Sequence, residues 1–206
     1  MWQTVSWLLA SYFLGAIPTS YIVGRVFRGI DLREHGSRNL GATNLYRVLG
    51  SRYAIPVALF DIAKGAVPVL VFGPFGPASP IFPVLCGIAA VLGHMFSVFV
   101  RFRGGKGVAT GAGVVPAIAP LAVLAALLIW LALVGLTGYV SLGSIIAAAL
   151  FPVAVALFYP DRREVLIPFV ALALLIIWMH RDNIRRLLNG TENQFGRRGK
   201  QAAPRP

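Results

Sequence analysis

The sequence predicts an all-α, polytopic integral membrane protein, and three observations support this fold class. Of its 206 residues, 57% are hydrophobic and only 13% are charged, whereas charged residues make up about 25% of an ordinary soluble domain. The apolar residues fall in blocks close to the ~20 residues that span a bilayer as a helix. The polar residues are confined to short segments between these blocks, so one compact membrane domain is expected.

The first three apolar blocks are predicted to be transmembrane helices. They are residues 2–24, which precede the first charge at Arg25, residues 53–72, and residues 81–100. The first block lacks the basic start of a cleaved signal peptide, so we interpret it as a retained span with its N-terminus outside. A segment rich in glycine and proline, 73–80, separates the second block from the third.

Apolar sequence resumes after these blocks and fills residues 108–180. Helix breaks are predicted at 116–120, near Thr137 and at Pro160, and they divide this stretch into four pieces. The first piece, 108–119, is only about 18 Å long at ~1.5 Å per residue, so we expect it to be tilted or partly inserted. The sequence therefore predicts seven spans.

The basic residues predict the orientation of these spans. Segments 25–52, 101–107 and 181–206 together hold 16 of the 19 Lys and Arg residues. Such residues are retained on the cytoplasmic side of membrane proteins. If all three segments are cytoplasmic, the chain crosses twice within 53–100 and either two or four times within 108–180. Four crossings agree with the predicted breaks, which places the N-terminus outside and the C-terminus in the cytoplasm.

The same reasoning bounds the domain organisation and the partners. Residues 1–192 are predicted to form one membrane domain, and the basic tail 193–206 to be a disordered cytoplasmic segment. A formal charge of +12 would suggest nucleic acid in a soluble protein. Here the basic residues are expected to meet anionic lipid heads instead, so no nucleic-acid partner is predicted. The lone Cys86 is predicted to be a small buried hydrophobe.

Three ionisable residues lie within the predicted spans. Asp61 and Lys64 fall inside the second span, where a charge facing lipid would cost about 2.5–3.5 kcal/mol. Their spacing of three residues places them on one helix face, where they can neutralise each other. A structural ion pair and direct contact with a substrate are both compatible with this pattern. His94, near the end of the third span, could equally be a core residue or a site residue.

The first polar cluster is a glycine-rich segment that is closed by Arg47. Glycines allow the backbone to fold tightly and to turn its N–H groups inward, while the Ser, Thr and Asn side chains add donors. This chemistry suits the binding of an anion. The candidate substrate-binding positions are Gly36, Asn39, Gly41, Thr43 and Asn44.

The second cluster is a Gly-Gly-Lys-Gly segment formed by Gly104, Gly105, Lys106 and Gly107. A helix is predicted to begin immediately after it, so a bound phosphate would meet free N–H groups, a positive helix end and an ammonium group. The segment is not a nucleotide-binding P-loop, because the residue after the lysine is glycine rather than Ser or Thr. Glycine-rich turns between membrane helices are common, and either loop could be structural.

Two further pairs of polar residues occur at helical spacing. His180 and Asn183 share a face if the last helix continues through them, although a basic helix end that contacts lipid heads is the alternative. Ser141 and Ser144 share a face at the start of the sixth span and are candidates for substrate binding, although serine on a membrane helix often serves helix packing. By the predicted topology, all four clusters emerge on the cytoplasmic side.

Several kinds of chemistry are not indicated. The sequence has no cluster of His, Cys, Asp and Glu suited to a metal, and no Gly-x-Ser-x-Gly elbow. The His-x4-Asp pair of many glycerolipid acyltransferases is also absent, since Leu40, Phe99 and Arg185 stand where its Asp would follow each histidine. We therefore predict neither a metal nor a cofactor, and covalent catalysis has little support.

Four ordered segments together resemble the bacterial acyl-phosphate:glycerol-3-phosphate acyltransferase family. The matching segments are 36–44, which reads Gly-Ser-Arg-Asn-Leu-Gly-Ala-Thr-Asn, then 61–65, 93–110 and 180–192. This family consists of seven-span inner-membrane enzymes of phospholipid synthesis. The chain departs from the family pattern at two positions: Gly138 stands where Arg is frequent and Ser97 where Pro is common.

The resemblance implies an activity, a location and a set of site residues. It implies transfer of a long-chain acyl group from acyl phosphate to the 1-hydroxyl of sn-glycerol 3-phosphate in the bacterial cytoplasmic membrane, giving lysophosphatidate and inorganic phosphate. By motif match, the active-site residues are Ser37, Arg47, Lys106, His180 and Asn183, with Ser144 as a further candidate.

The residues themselves are compatible with this chemistry. Both substrates carry phosphate, and two glycine-rich basic loops on one face supply two anion sites. An acyl phosphate is already activated, so positioning and charge stabilisation matter more than a covalent nucleophile. Either His180 or a substrate phosphate could accept the proton. An anion or phospholipid transporter with a cytoplasmic phosphate-binding site is the alternative from another class.

Overall fold

A computed structural model describes residues 2–195, and every regular element in this part of the chain is helical. The α-helices are α1 Trp2–Ala16, α2 Thr19–Arg28, α3 Ala42–Leu49, α4 Ser51–Val67, α5 Ile81–Met95, α6 Val108–Val114, α7 Pro120–Thr137, α8 Val140–Phe158, α9 Leu166–Met179 and α10 Arg181–Leu188. A π-helical turn, Pro68–Phe72, extends α4. The predicted all-α class is confirmed for this part of the chain.

Five helical segments of the described chain are long and apolar enough to cross a membrane. They are Trp2–Arg28, Ser51–Phe75, Ile81–Val100, Pro120–Thr137 and Val140–Phe158. A sixth is obtained if Arg163–Met179 and Arg181–Leu188, which meet at a bend of 55°, count as one span. The piece that was predicted to be short is the apolar helix Val108–Ala117. The count of seven spans and their orientation stay predictions.

The predicted breaks after residue 108 are confirmed. Helix α6 passes into a short turn, Val115–Ala117, and α7 begins at Pro120. Helix α7 then ends at Thr137, and Gly138 follows in the left-handed conformation. Helix α8 ends at Phe158, two residues before Pro160. Proline and glycine therefore act here as the sequence indicates.

The first predicted span is not one continuous helix. It breaks at Ile17 and Pro18, between α1 and α2. Proline lacks a backbone N–H and disfavours a helical conformation in the residue before it, which explains the break. The carbonyl of Ile17 is left outside the helical hydrogen bonds, and it accepts a hydrogen bond from the Lys64 ammonium at 2.9 Å.

Close helix pairs form the membrane domain. Helix α1 packs along α5, α4 along α6, and α8 contacts both α7 and α9. At the α1–α5 contact, a Cβ on Gly15 would overlap the backbone of Ala90, and one on Gly93 would overlap the backbone of Tyr12. Small residues therefore let these backbones approach closely, as in many membrane helix pairs.

The buried charges of α4 are satisfied within the protein. Asp61 and Lys64 form an ion pair at 2.7 Å, and both side chains are almost fully buried. Asp61 also accepts a hydrogen bond from Thr19 at 3.0 Å. This pairing confirms the predicted neutralisation, because neither charge is left facing lipid.

Two smaller predictions concern Cys86 and the tail. Cys86 is fully buried, as predicted. The packed part of the chain extends beyond the predicted boundary at residue 193, because the ring of Phe195 stacks on Tyr46 and its backbone N–H donates to the carbonyl of Gly138. Aromatic stacking and this hydrogen bond explain the later boundary. Residues 196–206 of the predicted tail lie outside the described residues.

Candidate active site

A cavity of about 670 Å³ lies between α4 and α6 on one side and α7, α8 and α9 on the other. One end is polar and is bounded by α3, α10 and the loops that precede α3 and α6. The other end is apolar and continues between the membrane helices. This arrangement suits a ligand with a charged head and an aliphatic tail.

The Gly-Gly-Lys-Gly loop folds back onto the end of α5. The N–H groups of Gly104 and Gly105 donate to the carbonyls of Met95 and His94, each at 3.0 Å. These N–H groups are therefore not available to an anion, which differs from the prediction that they would face one. Neither glycine lines the cavity, whereas Lys106 and Gly107 do. Burial between a helix end and the neighbouring loop explains why the first two positions are glycine.

Lys106 lies in a network that joins three parts of the chain. Its ammonium donates to the side-chain oxygen of Asn183. The amide nitrogen of Asn183 donates in turn to Oε1 of Glu192 at 2.7 Å. Burial lowers the pKa of Lys106 to about 8. The negative charge of Glu192 opposes this shift, and the positive charges of Arg186 and Arg47 add to it. The network holds a desolvated ammonium in a fixed direction at the polar end of the cavity.

Arg47 supplies a second cation to the same end. It lies on α3 and lines the cavity. Its Nε is buried and has no hydrogen-bond partner within residues 2–195. Burial lowers the pKa of the Arg47 guanidinium, and Glu192 opposes this shift. Since a buried donor without a partner is costly, this group is well suited to bind a ligand oxygen.

The first glycine-rich segment is organised by Asn44. Its side-chain oxygen accepts a hydrogen bond from the N–H of Ser37 at 2.7 Å. Its amide nitrogen donates to the carbonyls of Leu32, His35 and Asn39 at 3.0–3.3 Å. The side chain is therefore used within the loop. Asn44 also lines the cavity, so its substrate contact stays a prediction beside this structural role.

The remaining positions of this segment differ in their access to the cavity. Ser37, Asn39, Gly41 and Thr43 line it. Gly36 does not line it. This residue adopts a left-handed conformation at φ 59°, and a Cβ there would overlap the Asn44 side chain. Gly36 thus shapes the turn, and its predicted contact with substrate stays a prediction.

His180 and Asn183 both line the cavity, although the helix does not continue straight through them. The chain bends by 55° where α9 meets α10, and His180 is the residue between the two helices. Its Nδ1 lies 2.8 Å from the carbonyl of Ile176 and donates to it. In the neutral ring this hydrogen bond leaves Nε2 without a proton, as an acceptor.

Ser141 and Ser144 also line the cavity, on one face of α8. The hydroxyl of Ser141 donates to Oε1 of Glu192 at 3.0 Å. The hydroxyl of Ser144 donates to the carbonyl of Val140 and accepts from Trp130 Nε1 at 3.2 Å. Both serines are therefore partly engaged in packing, which was the alternative interpretation of this pair.

Glu192 is a site residue that the residue pattern did not single out. Its Oε1 accepts from Ser141 and Asn183, and its Oε2 accepts from Arg186 Nε at 2.7 Å. Its side chain is 2% exposed. One signal was present: after Asp182, it is the only carboxylate in a strongly basic end of the chain. A lone acid among many bases indicates an ion-pair partner.

His94 and Asp61 also border the cavity. His94 Nδ1 lies 3.8 Å from the Asp61 carboxylate. A Cβ on Gly105 would overlap both the imidazole of His94 and the carbonyl of Leu40. His94 therefore packs between the buried ion pair and the two glycine-rich loops, where it fixes their separation.

The apolar end of the cavity is formed by the transmembrane helices. Its lining side chains include Leu127 and Trp130 of α7, Phe151 of α8, and Phe169 and Leu172 of α9. Among residues 2–195, no group of three or more His, Cys, Asp and Glu could hold a metal ion.

Comparison with known proteins places this site in a family. A profile of the Glycerol-3-phosphate acyltransferase family matches residues 5–190. The chain belongs to this family. A glycerol-3-phosphate acyltransferase of Trichlorobacter lovleyi is 47% identical over 92% of this chain and 96% of its own length. One from Fusobacterium nucleatum is 41% identical over 91% of this chain and 96% of its own length. The resemblance found in the sequence is thus confirmed.

Two solved structures are similar to this member of the glycerol-3-phosphate acyltransferase family. Both are crystal structures of PlsY, an integral membrane glycerol 3-phosphate acyltransferase. The glycerol 3-phosphate form is 42% identical, with a TM-score of 0.84 over 94% of this chain and 96% of that one. The lysophosphatidic acid form is 39% identical, with a TM-score of 0.82 over 94% of this chain and 95% of that one. The described helices thus form the fold of an integral membrane acyltransferase.

Proposed function

We propose that this protein transfers a long-chain acyl group from acyl phosphate to the 1-hydroxyl of sn-glycerol 3-phosphate, giving lysophosphatidate and inorganic phosphate. The observation that carries the proposal is the composition of the cavity. Its polar end holds Lys106 and Arg47, and its other end is lined by apolar side chains. The PlsY structures in glycerol 3-phosphate and lysophosphatidic acid forms support the same substrate and product classes.

In this proposal the two cations bind the phosphate groups of the substrates. Both side chains are partly buried, and the Arg47 Nε lacks a partner in the described chain. Charge-assisted hydrogen bonds to phosphate are about twice as strong as neutral ones, especially where water is excluded. Ser37 and Asn183 line the same end and orient the acceptor.

The reaction needs no covalent intermediate on the enzyme. The hydroxyl oxygen of glycerol 3-phosphate attacks the acyl carbonyl carbon, and the bond between that carbon and the phosphate oxygen then breaks. The new ester is lysophosphatidate, and the hydroxyl proton ends on the released phosphate. Lys106 and Arg47 stabilise the charge that develops on the leaving phosphate, and the cavity holds both reactants in one orientation.

The acyl chain of the donor is assigned to the apolar end of the cavity. Val123 and Leu127 of α7, Ala147 and Phe151 of α8, and Leu172 of α9 provide the apolar surface. Burial of apolar surface contributes about 25 cal/mol per Å², so a long chain would supply much of the binding free energy. A donor with a short chain would lose this contribution.

We further propose that the protein lies in the bacterial cytoplasmic membrane with this site on the cytoplasmic face. The support is the concentration of 16 of 19 basic residues in three segments that the positive-inside rule assigns to the cytoplasm. The polar end of the cavity is built from two of these segments and from the start of the third.

The deciding experiment uses the purified full-length protein in detergent with glycerol 3-phosphate and palmitoyl phosphate. Lysophosphatidate and inorganic phosphate should form in equal amounts, and glycerol should not replace glycerol 3-phosphate. Palmitoyl-CoA and palmitoyl acyl-carrier protein serve as matched donors. Turnover with either of these, but not with palmitoyl phosphate, would disprove the proposed donor. Uptake of phosphate into sealed vesicles without any acyl transfer would instead favour the transporter alternative.

A further inference from the structure

A second cleft lies outside the active-site cavity, beside the end of α5. Its volume is about 660 Å³, and none of its described lining residues also lines the active-site cavity. Its walls come from α2, from the turn Leu32–Glu34 and from the loop 97–103 that leads to the Gly-Gly-Lys-Gly segment. The lining side chains that matter here are Tyr21, Asp31, Arg33, Phe99, Arg101 and Arg103.

The cleft has an excess of positive charge. Arg33 and Arg25 bind the Asp31 carboxylate at 2.6 and 3.1 Å, and the Arg33 hydrogen bond holds the pKa of Asp31 well below its usual range. Asp31 is therefore ionised and neutralised. Arg101 and Arg103 are exposed and form no ion pair within residues 2–195.

Two other groups complete the electrostatics of this cleft. Glu34 is the second carboxylate at its edge, and it is exposed to solvent. The guanidinium groups of Arg25 and Arg33 lie 5.5 and 5.1 Å from the ring centre of Tyr21, which fixes them over the aromatic face. The cleft therefore holds one exposed acid and two arginines that form no ion pair within residues 2–195, and this balance favours an anionic ligand.

The loop that carries these arginines is closed by backbone hydrogen bonds and is strained at two positions. The N–H of Phe102 donates to the carbonyl of Ser97 at 2.8 Å, and that of Arg103 to the carbonyl of Val100 at 3.3 Å. Arg101 and Phe102 are consecutive left-handed residues, with φ of 56° and 60°. Bulky residues rarely adopt this conformation, which persists only where the surrounding structure holds it.

The loop also presents aromatic side chains at the end of a candidate membrane span. Phe99 and Phe102 are 59% and 61% exposed. They lie at the end of the candidate span Ile81–Val100, next to Arg101 and Arg103. Aromatic rings favour the interface between hydrocarbon and water, while arginine favours anionic headgroups.

We propose that this arginine–phenylalanine cleft binds the phosphate headgroup of an anionic phospholipid from the surrounding bilayer. Arg101 and Arg103 contact the headgroup, and Phe99 of the cleft contacts the glycerol and upper acyl region together with the exposed Phe102, which follows Arg101 but does not line the cleft. Free phosphate would make only the first set of contacts, so the exposed rings favour a lipid. The site does not depend on the proposed reaction, because no described residue is shared with the active-site cavity.

The test measures lipid retention by native mass spectrometry of the full-length protein in detergent. The probes are dioleoyl phosphatidylglycerol and dioleoyl phosphatidylcholine, which have the same acyl chains. The Arg101→Gln, Arg103→Gln variant should retain about thirty-fold less phosphatidylglycerol than the unmodified protein, since each of the two arginines at an anionic surface contributes about 1 kcal/mol. The matched control is Arg28→Gln, Arg52→Gln, which removes two exposed arginines elsewhere and should change retention less than two-fold.

Three outcomes would overturn the proposal. Equal losses in the two double variants would show that general surface charge retains the lipid. Equal retention of the two lipids by the unmodified protein would show that the headgroup is not recognised. Competition by inorganic phosphate as strong as that by phosphatidylglycerol would identify a free-anion site. A Phe99→Ser, Phe102→Ser variant tests the apolar contacts separately, and unchanged lipid retention in it would contradict the lipid assignment.

Discussion

The ammonium of Lys106 donates a hydrogen bond to the side-chain oxygen of Asn183, which lies 77 positions later in the chain. Asn183 is fixed in turn by Glu192, whose carboxylate also binds Ser141 and Arg186. The lysine is therefore oriented before any substrate enters. An ammonium group has three donors, so two remain for phosphate. This preorganisation lowers the cost of positioning the reactants.

The contribution of Lys106 to substrate binding can be measured directly. We expect Lys106→Ala to lower kcat/KM by about ten-fold or more, because a charge-assisted hydrogen bond contributes about 1.5–3 kcal/mol. Steady-state rates and the melting temperature in detergent should be measured together. The exposed Arg52, changed to Gln, serves as a control for the loss of one positive charge. Near-normal turnover of Lys106→Ala would show that the Gly-Gly-Lys-Gly loop is only structural.

The lowered pKa of Lys106 predicts a pH dependence. A lysine is charged below its pKa, and burial lowers this value to about 8. The charged form is therefore lost as the pH rises through about 8, and kcat/KM should fall there. Bound phosphate favours the charged form of the lysine. The fall of kcat with rising pH should therefore occur at a higher pH than the fall of kcat/KM. The Lys106→Arg variant keeps its positive charge over this pH range, so its kcat/KM should not fall as the pH rises through about 8. If kcat/KM of this variant still falls near pH 8, the titration belongs to another group.

The role of His180 is tested by His180→Asn and His180→Gln. Both keep a hydrogen-bonding group but cannot act as a base near neutral pH. A histidine base contributes about 10²–10⁴ in rate. We expect at least one variant to keep more than about a tenth of the original kcat, because the leaving phosphate can take the proton and His180 then only positions the substrate. A larger loss in both, with KM unchanged, would establish His180 as the base.

Gly105 should not tolerate a side chain. A Cβ there would overlap the His94 imidazole and the carbonyl of Leu40, and the backbone carbonyl cannot move away without opening the loop. Gly105→Ala should therefore raise KM for glycerol 3-phosphate several-fold. Gly135→Ala on α7 is the matched control, since a Cβ there meets nothing within 4 Å. Equal effects of the two substitutions would contradict the proposal that His94 and Gly105 set the separation of the two glycine-rich loops.

The predicted topology can be tested with single cysteines in a Cys86→Ala background. Suitable exposed positions are Glu34, Arg103 and Asn189, one in each basic segment. Each should react with an impermeant reagent only after the cytoplasmic side becomes accessible. Labelling of any of them from outside in intact cells would refute the assignment of all three segments to one side.

Sequence reasoning found most of the residues that meet in the cavity but not how they are used. Lys106, Arg47 and His180 all line it. Asn44, which was predicted to bind substrate, holds its own loop together through four hydrogen bonds. A pattern of donors cannot show which of them are already satisfied, because that depends on backbone groups that approach only after folding.

The sequence by itself determined the all-α class, the apolar segments and the helix breaks at proline and glycine after residue 108. These features follow from local physics, namely the cost of polar groups in lipid and the backbone restrictions of two residue types. Only the tertiary structure decided that Glu192 orients Asn183 and Lys106, and that His94 separates the glycine loops. Contacts between residues far apart in the chain depend on helix packing, which a one-dimensional pattern does not contain.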